Sequence, residues 1–256
     1  MIEAFVFITG AAFGSFFNVV IYRLPRGLSI VWPNSFCPAC EKPIKPWDNI
    51  PLVSYLLLRG KCRTCGARIP VRYFIVEFLT AALSLVLLYK YSLSVNYLVH
   101  IFLVYLLLVI SFIDIDHMLI PDIISLPGIP VGILFSCFFP EGAFGFSLDG
   151  LKGSLLGVLA GGGSIYLMGV FGSMVFRKEA MGGGDVKLMG MIGAFMGWKY
   201  ALLAFFIAPF LGLVSGVYVL VKKKDTVIPY GPYLSLAAVI SMLYGDKILR
   251  VLLPEI

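Results

Sequence analysis

The sequence predicts an all-α polytopic membrane protein of about eight transmembrane helices, with one small loop domain near its N-terminus. Three observations carry that prediction. The 256 residues are 60% hydrophobic and only 13% charged, whereas soluble domains hold about 45–50% apolar and about 25% charged residues. The mean hydropathy is +0.97. Apolar runs recur from end to end, and at about 20 residues per span the length accommodates six to eight of them. The same composition excludes disorder, collagen and coiled coil.

The first run, Ile2 to Tyr22, contains one acid, Glu3, and its basic neighbours Arg23 and Arg26 come after it. A cleavable secretory signal carries basic residues before its apolar stretch, so this run is read as a permanent helix with its N-terminus outside. Seven more follow: Tyr73–Tyr89, Tyr97–Ile113, Ile123–Phe139, Leu151–Phe176, Val186–Met196, Ala201–Val221 and Tyr233–Leu253. The sixth of the eight is short for a full span and rich in Gly and Met. Of the twenty Lys and Arg residues, nine lie between the first and second runs. Arg177, Lys178 and Lys187 fall around the fifth-to-sixth connection, and Lys222, Lys223 and Lys224 in the seventh-to-eighth. Eight helices with both termini outside put all of these on the cytosolic side, as the positive-inside rule requires. The net charge of +6 is therefore a topology signal and calls for no nucleic-acid site, and the basic loop also suits anionic lipid headgroups. The chain divides into a first transmembrane helix (1–22), a cytosolic loop (23–72) and a core of about seven helices (73–256).

The loop is too small to bury much core and needs a staple. Cys37-Pro-Ala-Cys40 and Cys62-Arg-Thr-Cys65 supply one, as two C-x2-C pairs separated by 21 residues. Four thiolates at this spacing suit tetrahedral zinc. Two disulfides or four free thiols are the alternatives, and disulfides are rare on the cytosolic side. With four Cys ligands the zinc site is structural, since no position is left open. Cys137 lies in an apolar run, where packing accounts for it.

Ionisable groups within apolar spans are costly and mark functional sites. The candidates are Glu77, Asp114, Asp116, Asp122 and Asp185. Asp114 and Asp116 are two residues apart and point to different faces of a helix. Pro121 disfavours helix at Ile120, so Asp122 suits the start of the next helix as a cap or first-turn acid. Asp185 follows Gly182, Gly183 and Gly184, which let another backbone approach closely; the alternative is a flexible turn with Asp185 capping the sixth helix. Asp114 and Asp185 fall at the cytosolic ends of their helices, at one membrane depth. Two acids so placed suit an acid/base pair, in which like charges held close make the pair share a proton. Glu77 is read as pairing structurally with Arg72 or Tyr73, with a part in receiving substrate as the alternative.

The chain resembles the bacterial type IV prepilin peptidases. The resemblance is carried by Gly14–Pro25, by Pro46–Tyr55 between the Cys pairs, by Asp114–Asp122, by Gly182–Lys187 and by Pro229–Tyr233. It implies an intramembrane aspartic peptidase in which Asp114 and Asp185 match the two catalytic aspartates and Gly182, Gly183 and Gly184 form the supporting loop. Asp116 and Asp122 match acids outside that pair. The resemblance further implies cleavage of a short basic leader from prepilins or pseudopilins, after a Gly, at the cytosolic face of the inner membrane. N-methylation of the new terminus with S-adenosylmethionine then follows, as in members with a large Cys-bearing loop. Gly60 and Lys61 match a Gly-Lys pair linked to methyl transfer, although Lys61 also suits a charge tuning a zinc thiolate. No Gly-x-Gly-x-x-Gly on a strand–helix unit is present, so the S-adenosylmethionine site is not a Rossmann one. A peptidase without methyltransferase activity, a zinc-knuckle membrane scaffold and a proton-coupled transporter are the competing readings.

Overall fold

A computed structural model describes residues 1–139, 147–177, 181–222 and 228–252 of the chain. Lys178, Lys223, Lys224 and the last residue of the eighth run, Leu253, lie outside the described residues. The α-helices are α1 (Ile2–Arg23), α2 (Val53–Leu57), α3 (Val71–Tyr91), α4 (Val95–His117), α5 (Asp122–Phe138), α6 (Leu148–Phe176), α7 (Gly183–Lys222) and α8 (Gly231–Leu252). Five stretches of the described residues, in α1, α3, α4, α6 and α7, are long and apolar enough to cross a membrane, and α5 is a shorter apolar helix. Side chains such as Phe13, Leu159, Phe171 and Phe210 point out of the fold, which suits a lipid solvent. The protein is an all-α, multi-pass membrane protein.

The helices group into two compact units, Met1–Leu93 and Ser94–Ile256. In the first, α1 packs on α3 through a small-residue ridge. A β-carbon on Gly10 would lie 2.9 Å from Ala81 Cα, and one on Gly14 only 2.6 Å from Glu77 Cα. Without a hydrophobic drive between helices in lipid, such close backbone approach is what holds them together. The segment between α1 and α3 is irregular, with the one-turn α2 and two short 3-10 turns.

In the second unit, Gly157 and Gly161 repeat the device. A β-carbon on Gly157 would collide with the Gly193 carbonyl, and one on Gly161 with the Met189 carbonyl. The same Gly161 position lies 3.5 Å from Ala201 Cβ. In a straight helix Met189 and Ala201 would be about 18 Å apart, so α7 bends sharply, and the bend is at Gly197, with φ +75° and ψ 173°. Only glycine adopts that backbone without strain. The sixth and seventh apolar runs are thus two separate helical arms of α7 that meet at Gly197, both packed on α6. The Ala194 carbonyl, in the last turn before the bend, accepts hydrogen bonds from Ser136 Oγ (2.9 Å) and Ser154 Oγ (2.7 Å). Hydroxyls of neighbouring helices commonly satisfy backbone groups freed by a broken membrane helix.

Candidate active site and cysteine cluster

Asp114 sits in the last turn of α4 and is 5% exposed. The chain leaves α4 through Met118 in the left-handed conformation, φ +53°, and Pro121 precedes α5 as its cap residue. Asp114 Oδ2 accepts the backbone N–H of Gly231, the first residue of α8, at 2.9 Å. No side chain fits there: a β-carbon on Gly231 would stand 2.8 Å from that oxygen and 3.4 Å from Ile120 Cδ1. Asp185 lies in the first turn of α7, where the N-terminal end of the helix dipole favours a carboxylate. Its N–H bonds to the Gly182 carbonyl at 3.1 Å.

Ile120 ties the two acids together. Its side chain lies against Gly231, which holds Asp114, and against Gly184, whose β-carbon would be 2.9 Å from Ile120 Cβ. The Asp185 carboxyl is within electrostatic reach of Asp114. A side chain on Gly183 would meet nothing within 4 Å, so the three glycines differ: Gly184 is required for packing, while Gly183 leaves open space beside Asp185. Asp116 is exposed where Asp114 is buried, the separation that helical periodicity demands. Asp122 is the first residue of α5 and forms an ion pair with Lys187 of α7 at 2.7 Å.

Sequence alone gives Tyr230 no role, though it lies in the Pro229–Tyr233 motif. Its hydroxyl is buried with no hydrogen-bond partner among the described residues. Burial first, and then the charge of Asp185, push its pKa up to about 12. Gly231 and Ile120 also gain their meaning only from tertiary contact.

In the first unit, Cys37, Cys40, Cys62 and Cys65 offer four Sγ atoms within 4.8 Å of one another. Cys37 and Cys65 Sγ are 3.9 Å apart, and a tetrahedral ion with sulfur at about 2.3 Å has S···S edges of about 3.8 Å. The four residues therefore fit a metal ion. Each pair sits in a tight knuckle: the N–H of Glu41 bonds to the Cys37 carbonyl and that of Gly66 to the Cys62 carbonyl. Backbone N–H groups of Cys65 and Thr64 hold the Cys62 thiol down to a pKa of about 6. Its folded pKa lies below the ordinary thiol value, so the thiolate persists at neutral pH and is lost as the pH falls through about 6. In chelator-stripped protein, Cys62 should be the first of the four alkylated by iodoacetamide at pH 7. Peptide mass mapping should find that advantage gone at pH 5.

Gly60 is buried, with φ +64°, and a β-carbon there would meet Tyr55 Oη at 3.0 Å. Lys61 is exposed. The Glu77 Oε2 accepts the Leu52 N–H at 2.7 Å, and Ser15 donates to the carboxyl as well. Leu52 has φ +63°, so this buried acid anchors a strained turn of the loop onto α3. Beyond the local pairing expected, Glu77 thus has partners from α1 and from the loop. Between α1, α3 and the cysteine segment lies a cavity of about 670 Å3.

A multi-pass helical membrane protein with acids from separate helices converging at helix ends, and a four-thiol knuckle in a separate unit, is the class that fold and site define. The chain belongs to the type IV leader peptidase family. The model of that family matches residues 101–217, and that of the bacterial peptidase A24 N-terminal domain matches residues 8–91. Similar proteins are the prepilin leader peptidase/N-methyltransferase of Pseudomonas putida, 38% identical over 94% of this chain and 90% of the relative. That of Pseudomonas aeruginosa is 37% identical over 96% and 93%, and that of Legionella pneumophila 33% over 93% and 90%. No solved structure matches the chain significantly.

Proposed function

We propose that this protein removes the short basic leader from type IV prepilins or pseudopilins, after a Gly, and then N-methylates the new N-terminal residue with S-adenosylmethionine. The reaction is placed at the cytosolic face of the bacterial inner membrane, with both chain termini outside. The observation that supports it best is the convergence of Asp114 and Asp185 around Ile120, at the ends of α4, α7 and α8.

Two carboxyls within electrostatic reach share a proton, and the pair titrates jointly. Its ionised member takes a proton from water, and the hydroxide adds to the scissile carbonyl carbon as the protonated member donates to the carbonyl oxygen. The tetrahedral intermediate then collapses with cleavage of the C–N bond, and the departing amine takes up a proton. Gly231 N–H fixes the orientation of Asp114, and the α7 N-terminus supports negative charge on Asp185. The open side of Gly183, next to the packed Gly184, is where the substrate backbone approaches.

The four cysteines are assigned to a structural zinc, which their geometry fits and which leaves no ligand position open. S-adenosylmethionine supplies an electrophilic methyl group; the new α-amine, with a pKa near 7.7–8.0 in peptides, is neutral often enough to accept it. Gly60 and Lys61 are assigned to methyl transfer, Gly60 through the turn that seats Tyr55.

Mass spectrometry of a prepilin co-expressed with the wild type and with a Cys37→Ser/Cys40→Ser variant tests the division of labour. The variant product is expected to be cleaved but unmethylated. A fully methylated product would take methyl transfer away from the cysteine segment, and loss of cleavage by the wild type itself would remove the peptidase reading.

A further inference from the structure

Asp122 and Lys187 have no part in the chemistry proposed above, yet they flank it. Asp122 stands two residues beyond Ile120, and Lys187 two residues beyond Asp185. Lys187 Nζ donates to both carboxylate oxygens of Asp122, at 2.8 and 2.7 Å. The side chains are 36% and 55% exposed, respectively. Ion pairs this exposed add little to stability, so the effect of this one is to be sought in what it positions.

α5 and the first arm of α7 lie side by side and run in the same direction. A β-carbon on Gly132 would stand 2.6 Å from Phe195 Cδ2, and one on Gly128 would collide with the Met191 side chain. Toward the start of both helices Asp122 meets Lys187, and beyond that pair Ile120 meets Gly184. These pairs keep step along the two segments, and Asp185 lies between the last two of them. Neither helix start is stiff on its own account. Gly183 and Gly184 open α7, and glycine is poorly held by its own helix. α5 carries Pro127 and Pro130 in its interior, and each removes a backbone donor from the ladder. Contacts across the seam therefore hold the two starts together. Ile120 on Gly184 is an apolar contact without direction. The Asp122–Lys187 pair, with one ammonium shared by two oxygens, fixes both distance and register.

Resting on the peptidase reading above, we infer that Asp122 and Lys187 are positioning residues: their ion pair pins the start of α7 to the start of α5 and so holds the Asp185 carboxyl in reach of Asp114. Asp185 is the residue so fixed, because only Val186 separates it from Lys187 along the helix. Lys187 acts through this contact, since its ammonium is taken up by both oxygens of Asp122. The charge that acts on Asp185 is that of Asp114.

The test uses the full-length protein in nanodiscs, with a prepilin as substrate and the rate of leader cleavage read by mass spectrometry. Lys187→Met keeps the reach of the side chain and removes its charge. It should lower kcat about ten- to a hundredfold at unchanged KM, since a misplacement of about 1 Å costs up to about a hundredfold. Lys187→Arg keeps a cation for Asp122 and should cleave close to the wild-type rate. The exchanged pair Asp122→Lys/Lys187→Asp should recover most of the rate that Lys187→Asp alone loses. Thermal midpoints should match the wild type throughout, as an exposed pair requires, which separates positioning from unfolding. A wild-type kcat in Lys187→Met would overturn the inference. So would an exchanged pair as slow as Lys187→Asp, which would give Lys187 a contact of its own with the substrate. Absence of cleavage by the wild type would remove the peptidase reading and the inference with it.

Discussion

Replacing Asp114 or Asp185 by Asn should reduce leader cleavage by about a thousandfold or more, since a positioned acid or base supplies about 10²–10⁴ in rate and each member of the pair serves the other. Asn is nearly isosteric with Asp, and its Oδ1 can still accept the Gly231 N–H bond that Asp114 Oδ2 accepts at 2.9 Å. At Asp185 the loss of charge in the first turn of α7 costs about 0.3–1 kcal/mol of helix-dipole stabilisation, far too little to unfold a helix of this length. Both variants should therefore insert and fold normally, keep the four-cysteine cluster intact and fail only in chemistry. Mass spectrometry of co-expressed prepilin reads the outcome directly. Substantial cleavage by either variant would sink the aspartic mechanism and favour the scaffold reading, in which these acids do no more than cap helices. The structure sharpens that contrast, because Asp114 does cap α8. The Asn variant preserves the cap and removes the proton.

Gly231→Val is expected to disable cleavage almost as completely without touching either acid. The added β-carbon would stand 2.8 Å from Asp114 Oδ2 and 3.4 Å from Ile120 Cδ1. Relief requires moving the start of α8 away from α4, which breaks the hydrogen bond. A bond to a charged acceptor is worth about 1.5–3 kcal/mol, and forced overpacking costs about 1–3 kcal/mol more. Together these correspond to at least about a hundredfold loss in cleavage rate. The first unit, Met1–Leu93, contains none of the affected residues, so metal binding at the four cysteines of Gly231→Val protein should stay at the wild-type level. Cleavage at the wild-type rate would show that Asp114 needs no orienting bond from α8. Gly231→Ala, lacking the branched methyls, should fall between the two.

Features that depend on neighbours in the chain were legible from the amino-acid order. Composition and run length are enough to name the membrane helices, because each span must satisfy its own backbone within the segment. The C-x2-C spacing sets each pair of thiols in its own knuckle, and the apolar run before Asp114 and the three glycines before Asp185 mark those acids as candidates. Their opposite burial likewise separates Asp114 from Asp116, as their spacing on one helix requires. What stayed hidden depends on residues far apart in sequence. Asp114 meets Gly231 across 117 positions, and Glu77 meets Leu52 of the loop. The sixth and seventh runs meet at Gly197 and lie together on α6, which offers Gly161 to both. Those choices belong to packing: in lipid, helices associate where small residues let backbones touch, and only the assembled contacts decide which polar group finds which partner.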